Sequence, residues 1–208
     1  NSKDSNNFTK ILIIIAIIVA TVSIYFLMTS AGPKPHAKEI RNQKEIADIG
    51  GEFQMVDQDG KDFSNKSLLG KPSIIYFGFT YCPDICPTSL QKLTNVLDVL
   101  ERYQIDVTPV FVTIDPDRDT YQIMKKYISN FHKNFIGLTG NKEQIKKITE
   151  LFKVYAAVAP GTDKGRNDYM MNHSSFVYVM DKNGKFVKHF DISSKEDEII
   201  EFMRINFK

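Results

Sequence analysis

The sequence has no tryptophan, only two cysteines, and almost no excess of charge of either sign. Its 27 basic and 25 acidic side chains give a net charge of +2, which argues against a strongly basic nucleic-acid-binding protein. Two cysteines exclude a disulfide-dense scaffold and a zinc site built from four thiolates. The remaining composition, 42% hydrophobic and 25% charged, is that of a globular protein rather than a disordered one.

One long apolar run lies near the start of the chain. Ile11 to Met28 spans 18 residues, of which only Thr21 and Ser23 are clearly polar. As a helix this run would extend about 27 Å, close to the thickness of the hydrocarbon core of a bilayer. We therefore predict a single N-terminal transmembrane helix. A cleaved signal peptide is the alternative, because the small residues Thr29 to Gly32 follow the run.

This run divides the chain into three predicted parts. Residues 1–30 are the membrane anchor, residues 31–50 are a tether that contains prolines and several charges, and residues 51–208 are the folded domain. A chain of that length can bury a substantial hydrophobic core.

Strand patterns alternate with helical patterns in the folded part. Strands are predicted at Phe53–Val56, Lys61–Phe63, Ser73–Phe79, Val107–Ile114, Ser174–Met180 and Phe186–Phe190. Helices are predicted from Pro87 onward, from Asp119 to Phe131, from Asn141 to Phe152 and from Lys195 to Ile205. This alternation, with a terminal hairpin, predicts an α/β fold with a mixed central sheet flanked by helices.

The two cysteines are placed where chemistry is expected. Cys82 and Cys86 are four residues apart, directly after a buried strand and at the start of a helix. The positive end of a helix dipole lowers a thiol pKa, and open α/β sheets usually carry their sites at strand ends. A dithiol that exchanges with disulfides, part of a metal site, and an inert structural pair all remain open. A structural disulfide here would close a very short loop and add little stability.

A histidine could complete a metal site, because thiolate and imidazole both suit copper. His36 lies in the tether, and His189 is predicted to be exposed in the last hairpin. His132 is predicted to end a helix and to interact with its dipole. His173 is the candidate ligand, since it directly precedes the strand at Ser174–Met180 after a polar loop. An ordinary loop histidine is the alternative.

Four sequence motifs occur together in the folded part. They are Phe79-Thr80-Tyr81-Cys82-Pro83-Asp84-Ile85-Cys86-Pro87, Thr113-Ile114-Asp115-Pro116-Asp117-Arg118-Asp119-Thr120, Gly137-Leu138-Thr139-Gly140, and His173 before a strand. In this combination, from about Gly51 to the C-terminus, the chain resembles the Sco/SenC family. Members of that family are membrane-tethered copper-binding proteins with a thioredoxin-like fold that assist cytochrome c oxidase assembly.

The resemblance implies that Cys82, Cys86 and His173 are copper ligands. It puts Asp115 nearby, as an acidic group that influences the site rather than a ligand. Asn172 stands where the family often has an aspartate directly before the histidine, so a charge is absent but no ligand is lost.

Neighbouring residues have more ordinary expected roles. Asp117, Arg118 and Asp119 are expected to form a capped turn with a local ion pair. Met170 and Met171 are hypothesised to contact copper transiently through their thioethers, the alternative being packing or exposure in a loop.

The resemblance thus implies a copper chaperone that holds Cu(I), with Cu(II) as a second state, and delivers it to the copper-site subunit of cytochrome c oxidase. Other copper or thiol-redox proteins are further expected partners; nucleic acid is not. No substrate turnover is expected on this interpretation. The alternative is a thiol–disulfide reductase that needs only Cys82 and Cys86 and keeps the oxidase copper-site cysteines reduced.

A disulfide-capable cysteine pair suits an oxidising compartment. Together with the apolar run, this predicts a single-pass protein of the bacterial inner membrane whose folded domain faces the periplasm. The alternative is the mitochondrial inner membrane, with the domain in the intermembrane space.

Overall fold

The computed structural model describes residues 17–26, 49–162 and 168–208. Residues 17–26 form a helical segment whose apolar side chains are exposed. In these three ranges no helix is both long enough and apolar enough to cross a membrane. The predicted span Ile11–Met28 lies partly outside the described residues, as do most of the tether and His36. The predicted domain boundaries stay a prediction.

The elements from residue 49 onward alternate as the sequence predicts. The strands are β1 (Gln54–Asp57), β2 (Asp62–Ser64), β3 (Ser73–Gly78), β4 (Thr108–Thr113), β5 (Ile136–Thr139), β6 (Ala156–Val158), β7 (Met171–His173), β8 (Phe176–Met180) and β9 (Phe186–Asp191). The α-helices are α1 (Ile85–Arg102), α2 (Tyr121–Ile128), α3 (Lys142–Leu151) and α4 (Glu196–Phe207), and a 3₁₀ helix at Asn65–Leu68 follows β2.

Seven of these strands form one sheet in the order β2-β1-β5-β4-β3-β8-β9. The central strands β5, β4 and β3 are parallel, whereas β1 and β8 flank them in the antiparallel sense. Hairpins to β2 and β9 complete the two edges. The prediction of a mixed α/β sheet is therefore confirmed. The strands β6 and β7 form a separate antiparallel pair.

Strand β3 is buried along its whole length, between β4 and β8. Because side chains alternate along a strand, Tyr76 and Gly78 share one face and Phe77 points to the other. Tyr76 stacks on Phe111 with ring centroids 6.3 Å apart, and Phe77 packs 5.3 Å from the Phe152 ring. The strand that leads to the cysteines is thus fixed on both faces.

Two helix starts differ from the predictions. Helix α1 begins at Ile85, two residues before Pro87, so Cys86 lies inside its first turn. Helix α2 is capped by Thr120, whose side chain accepts from the Ile123 amide, and not by Asp119. The reason is that the Asp119 carboxylate binds other partners, described below. By contrast, Asn141 caps α3 as predicted, in a full capping box with Gln144.

The prediction for His132 is wrong. Helix α2 ends at Ile128, so His132 lies in the loop beyond it and is buried against α1. Its Nε2 is 3.3 Å from a Glu101 carboxylate oxygen, and the Asn134 amide donates to its Nδ1 at 3.3 Å. His189 is exposed in β9 as predicted, and its ring packs 5.0 Å from that of Phe176.

Three short strands are absent from the prediction: β5, β6 and β7. Each has three or four residues, too few for a periodic pattern to emerge. The consequence matters for the site, because His173 is the last residue of a strand, β7, and not part of a loop.

Candidate metal centre

The loop between β3 and α1 carries both cysteines. Cys82 is half-buried and Cys86 is fully buried, and both are free thiols. The backbone N–H of Cys86 donates to Cys82 Sγ at 3.4 Å. The first turn of α1 therefore directs an amide, at the positive end of the helix, toward the first sulfur.

The two thiols differ in acidity. Hydrogen bonding from Cys86, through its side chain and its backbone amide, lowers the pKa of Cys82 to about 5 although partial burial opposes the shift. The same contact, together with burial, raises the pKa of Cys86 well above its usual range. The predicted reactive thiolate is therefore Cys82 in the metal-free protein, while Cys86 keeps its proton. A metal that binds both sulfurs would displace that proton.

Gly78, the last residue of β3, provides the space for Cys86. A Cβ at this position would lie 2.8 Å from Cys86 Sγ and 2.8 Å from the Phe111 ring. Any side chain at Gly78 would therefore force one of these groups to move. This role was not predicted from the sequence, although a glycine in an otherwise bulky strand is a signal of close approach.

His173 faces the buried sulfur. Its Nε2 lies 3.6 Å from Cys86 Sγ, and its Nδ1 is 2.9 Å from the carbonyl oxygen of Ser174. Because a carbonyl oxygen only accepts, Nδ1 must donate to it, and in a neutral imidazole the nitrogen with the lone pair is then Nε2, which faces Cys86. The rings of Tyr76 and Phe79 meet the imidazole edge-on, with centroids 6.4 and 6.1 Å away. The structure thus brings the predicted histidine to the cysteines in the tautomer that a metal requires.

Cys82 and His173 line an open groove together with Met170 and Met171, whereas Cys86 is fully buried. Two sulfurs and one neutral imidazole are the donor types that suit a soft or borderline metal ion. Within the parts of the chain that the structure describes, however, no three histidine, cysteine or acidic side chains already form a metal-binding cluster. A three-ligand site would therefore need at least one of these side chains to move as the metal binds.

Asp115 does not point freely into the groove. Its carboxylate is buried; one oxygen accepts from the Tyr169 hydroxyl, and the other accepts from Arg118 Nε at 2.5 Å. A local ion pair is therefore present as predicted, but the partner of Arg118 is Asp115. Any influence of Asp115 on the metal ligands is indirect, through these partners.

Asp119 holds the beginning of the cysteine loop. Its carboxylate accepts from the Thr80 amide at 3.0 Å, the Thr80 hydroxyl at 2.5 Å and the Thr113 hydroxyl at 2.6 Å. Burial raises the pKa of this carboxyl despite those donors. From the sequence, Asp119 was predicted to be a helix cap, and no role was predicted for Thr80. The available signal was the motif that contains Asp119.

Comparisons with known proteins point to one family. The sequence pattern of the SCO1/SenC family matches residues 41–206. A SCO2-like protein of Rickettsia felis is 46% identical over 205 residues, which cover 98% of this chain and 100% of that protein. The mitochondrial protein SCO1 of Saccharomyces cerevisiae is 42% identical over 161 residues, 75% of this chain and 54% of that protein.

Solved structures of similar proteins share the fold. Arabidopsis thaliana ScoI with copper bound has a TM-score of 0.70 and 40% identity, covering 75% of this chain and 96% of that one. Bradyrhizobium japonicum ScoI with copper bound has a TM-score of 0.68 and 40% identity, covering 76% and 98%. The mixed sheet flanked by helices is thus the thioredoxin-like fold of these proteins. The chain belongs to the SCO1/SenC family.

Proposed function

We propose that this protein binds copper and acts in the assembly of cytochrome c oxidase, with Cys82, Cys86 and His173 as the ligands of Cu(I). The observation that carries the proposal is the position of His173, whose Nε2 lies 3.6 Å from Cys86 Sγ and whose ring is oriented by the Ser174 carbonyl. Two related structures contain copper. A third, BsSco, is described as a member of the Sco family of cytochrome c oxidase assembly proteins and is 27% identical.

The three ligands would act in different ways. Cys82 is the more exposed sulfur and already a thiolate at neutral pH, so it is suited to make the first and last contact with the ion. Cys86 would release its proton on binding. During delivery, a thiolate of the acceptor forms a bond to copper as the bond to Cys82 breaks, and Cys82 leaves as a thiolate. The proposed acceptor is the copper-site subunit of the oxidase.

The two methionines fit a supporting role in this transfer. Met170 and Met171 are half-buried and line the groove beside Cys82 and His173. Because side chains alternate along a strand, Met171 shares the face of β7 that carries His173. Transient thioether contact with the ion stays a hypothesis that this placement favours.

Replacing the histidine tests the three-ligand site. In the reduced full-length chain, His173→Ala should weaken Cu(I) binding by at least about 100-fold, since loss of an outer partner alone costs about 10–100-fold. Competition with a chromophoric Cu(I) chelator measures the affinity. His189→Ala is the control, because His189 is exposed on β9, and it should bind like the parent. An unchanged affinity in His173→Ala would refute the ligand set.

The same variant addresses the second candidate function, thiol–disulfide reduction. The low pKa of Cys82 and its contact with Cys86 favour this activity, which needs no histidine. The test substrate is the copper-site domain of the oxidase with its two cysteines oxidised to a disulfide. If the metal-free His173→Ala variant reduces this disulfide and the Cys82→Ser variant does not, the reductase function is supported.

For location we propose anchoring through Ile11–Met28 in a bacterial inner membrane, with the folded domain in the periplasm. The Rickettsia relatives are bacterial, whereas the yeast and Arabidopsis relatives are mitochondrial and support the alternative location. Labelling of Cys82 in intact cells by a thiol reagent that crosses only the outer membrane tests the orientation.

A further inference from the structure

The strand that carries His173 has little support of its own. Strand β7 has three residues, and among the residues that the structure describes it pairs only with β6, which also has three. A two-stranded sheet of this size is marginally stable by itself. A shift of one residue in its register would turn His173 to the opposite face, away from Cys86. The metal centre therefore depends on contacts that fix β7 from outside.

Arg118 makes such contacts with Tyr169, two residues before β7. The Arg118 guanidinium carbon lies 3.7 Å from the centre of the Tyr169 ring, and Arg118 Nη1 donates to the Tyr169 carbonyl at 2.8 Å. The Tyr169 hydroxyl donates to Asp115, which also accepts from Arg118 Nε. Arg118, Tyr169 and Asp115 thus form a closed, buried triangle.

The same guanidinium also contacts the cysteine loop. Its carbon lies 4.6 Å from the centre of the Tyr81 ring, next to Cys82 in sequence, and 5.8 Å from that of Phe79. The Phe79 ring in turn meets the His173 imidazole. One side chain therefore bridges the loop that carries the sulfurs and the segment that carries the imidazole.

We propose that Arg118 is a positioning residue, which through Tyr169 and Tyr81 sets the distance between the cysteine loop and His173. The proposal rests on the ligand set given under Proposed function. A planar guanidinium is needed because it stacks on rings while it donates in its own plane, which the ammonium group of lysine does not do. A buried ion pair that only stabilises the fold is the competing explanation, and it predicts no special effect on the site.

Four single variants of the full chain separate the two explanations. Tyr169→Phe keeps the ring beneath the guanidinium, whereas Tyr169→Leu keeps only apolar bulk and Arg118→Lys keeps only charge. Met203→Ala is the control, since Met203 is buried in α4 and its truncation lowers stability elsewhere. Cu(I) affinity should fall about 10–100-fold in Tyr169→Leu and Arg118→Lys. It should stay within about threefold of the parent in Tyr169→Phe and in Met203→Ala.

A second readout needs no copper. The Ala159 amide donates to the Met170 carbonyl at 2.7 Å, and the Ser174 amide donates to the Tyr155 carbonyl at 3.0 Å, so both bonds report on the β6–β7 pair. Hydrogen exchange at Ala159 and Ser174 should be at least about tenfold faster in Tyr169→Leu and Arg118→Lys than in Met203→Ala of matched global stability.

The two readouts distinguish failure of this proposal from failure of the ligand set. If the parent binds Cu(I), both effects are required, and the absence of either one overturns the role of Arg118. If the parent does not bind Cu(I), the proposed function fails, and hydrogen exchange alone decides whether Arg118 fixes β7.

Discussion

The two halves of the proposed metal centre are held in different ways. The cysteine half continues from β3, a central strand buried along its whole length, into the long helix α1. The histidine half is the end of β7, a strand of three residues outside the main sheet. Backbone hydrogen bonds of the sheet support the first half, including that from the Ile114 amide to the Gly78 carbonyl at 2.8 Å.

Side chains from one turn, residues 115–119, hold both halves in place. Asp119 fixes the cysteine loop through Thr80, and Arg118 with Asp115 fixes the segment before His173. The amides of Arg118 and Asp119 both donate to the Asp115 carbonyl, which makes the turn itself compact. Because of this difference, we expect the cysteine half to respond to packing changes in the sheet, and the histidine half to the loss of single side-chain contacts.

The largest effect on copper affinity is expected when a methyl group is added in the cysteine half, at Gly78. Gly78→Ala places a Cβ 2.8 Å from Cys86 Sγ and 2.8 Å from the Phe111 ring, so at least one of these groups must shift, and we expect the geometry around the sulfur to change. Overpacking of this kind costs about 1–3 kcal/mol of unfolding free energy. We expect Cu(I) affinity to fall by about 100-fold, at the upper end of the effects of changes around metal ligands. Chelator competition and urea unfolding of the same samples measure the two quantities.

Gly137→Ala is the matched control for that substitution. Gly137 lies in β5, and an added Cβ would meet the ends of Ile128 and Met124 at 3.2 and 3.3 Å, away from the cysteines. It should lower stability without changing copper affinity. Equal losses of affinity in the two variants would mean that the site responds only to global stability and would remove the distinction between the halves.

The next effect concerns the two sulfurs within the cysteine half. Cys82 has a pKa of about 5, so its alkylation rate should stay constant with falling pH and drop only near pH 5. An ordinary thiol loses reactivity below about pH 8.5. At pH 5, Cys82 should react about 40-fold faster than such a thiol, because its larger thiolate fraction outweighs its lower nucleophilicity. Mass spectrometry of the alkylated peptides in the reduced, metal-free protein gives the rate for each cysteine.

Cys86→Ala removes the thiol whose hydrogen bond is the main cause of that low pKa. The pH midpoint for Cys82 should then move upward, and its rate at pH 5 should fall by about tenfold. A midpoint that stays near pH 5 in this variant would show that the helix start alone sets the acidity of Cys82.

The sequence predicts the cysteine half better than the histidine half. The long apolar strand and the helix after it have strong periodic patterns, so the place of Cys82 and Cys86 follows from them. Strand β7 has no such pattern, because three residues are too few to show a period. The residues next to Tyr169 in the sequence form no motif that would indicate its role. Its role depends on contact with Arg118, which is 51 residues earlier in the chain.

The turn that links the halves was predictable only in part. A local ion pair in this turn was predicted, but Asp115 as the partner of Arg118 was not. In the sequence, Asp119 resembles a helix cap. Only the folded chain shows that its carboxylate accepts hydrogen bonds from Thr80, which is 39 residues away. Long-range hydrogen bonds of this kind leave no periodic trace in sequence.

The smallest effect on copper affinity is expected when the hydroxyl of Ser174, the residue directly after β7, is removed. The Ser174 hydroxyl accepts from the Tyr155 amide at 3.1 Å, which ties the end of β7 to the residue before β6. Ser174→Ala removes one hydrogen bond worth about 1 kcal/mol, and water can partly replace it because Tyr155 is exposed. We expect Cu(I) affinity to fall about threefold, since the Ser174 carbonyl still orients the imidazole.

Ser174→Thr keeps the hydroxyl and should bind copper like the parent, which makes it the control for this position. If Ser174→Ala weakens binding as much as Tyr169→Leu, the hold on β7 is shared by both of its ends. If neither Ser174→Ala nor Tyr169→Leu has an effect, β7 keeps its register without side-chain contacts. In that case the two halves of the metal centre would be equally rigid, and the contrast between them would not hold.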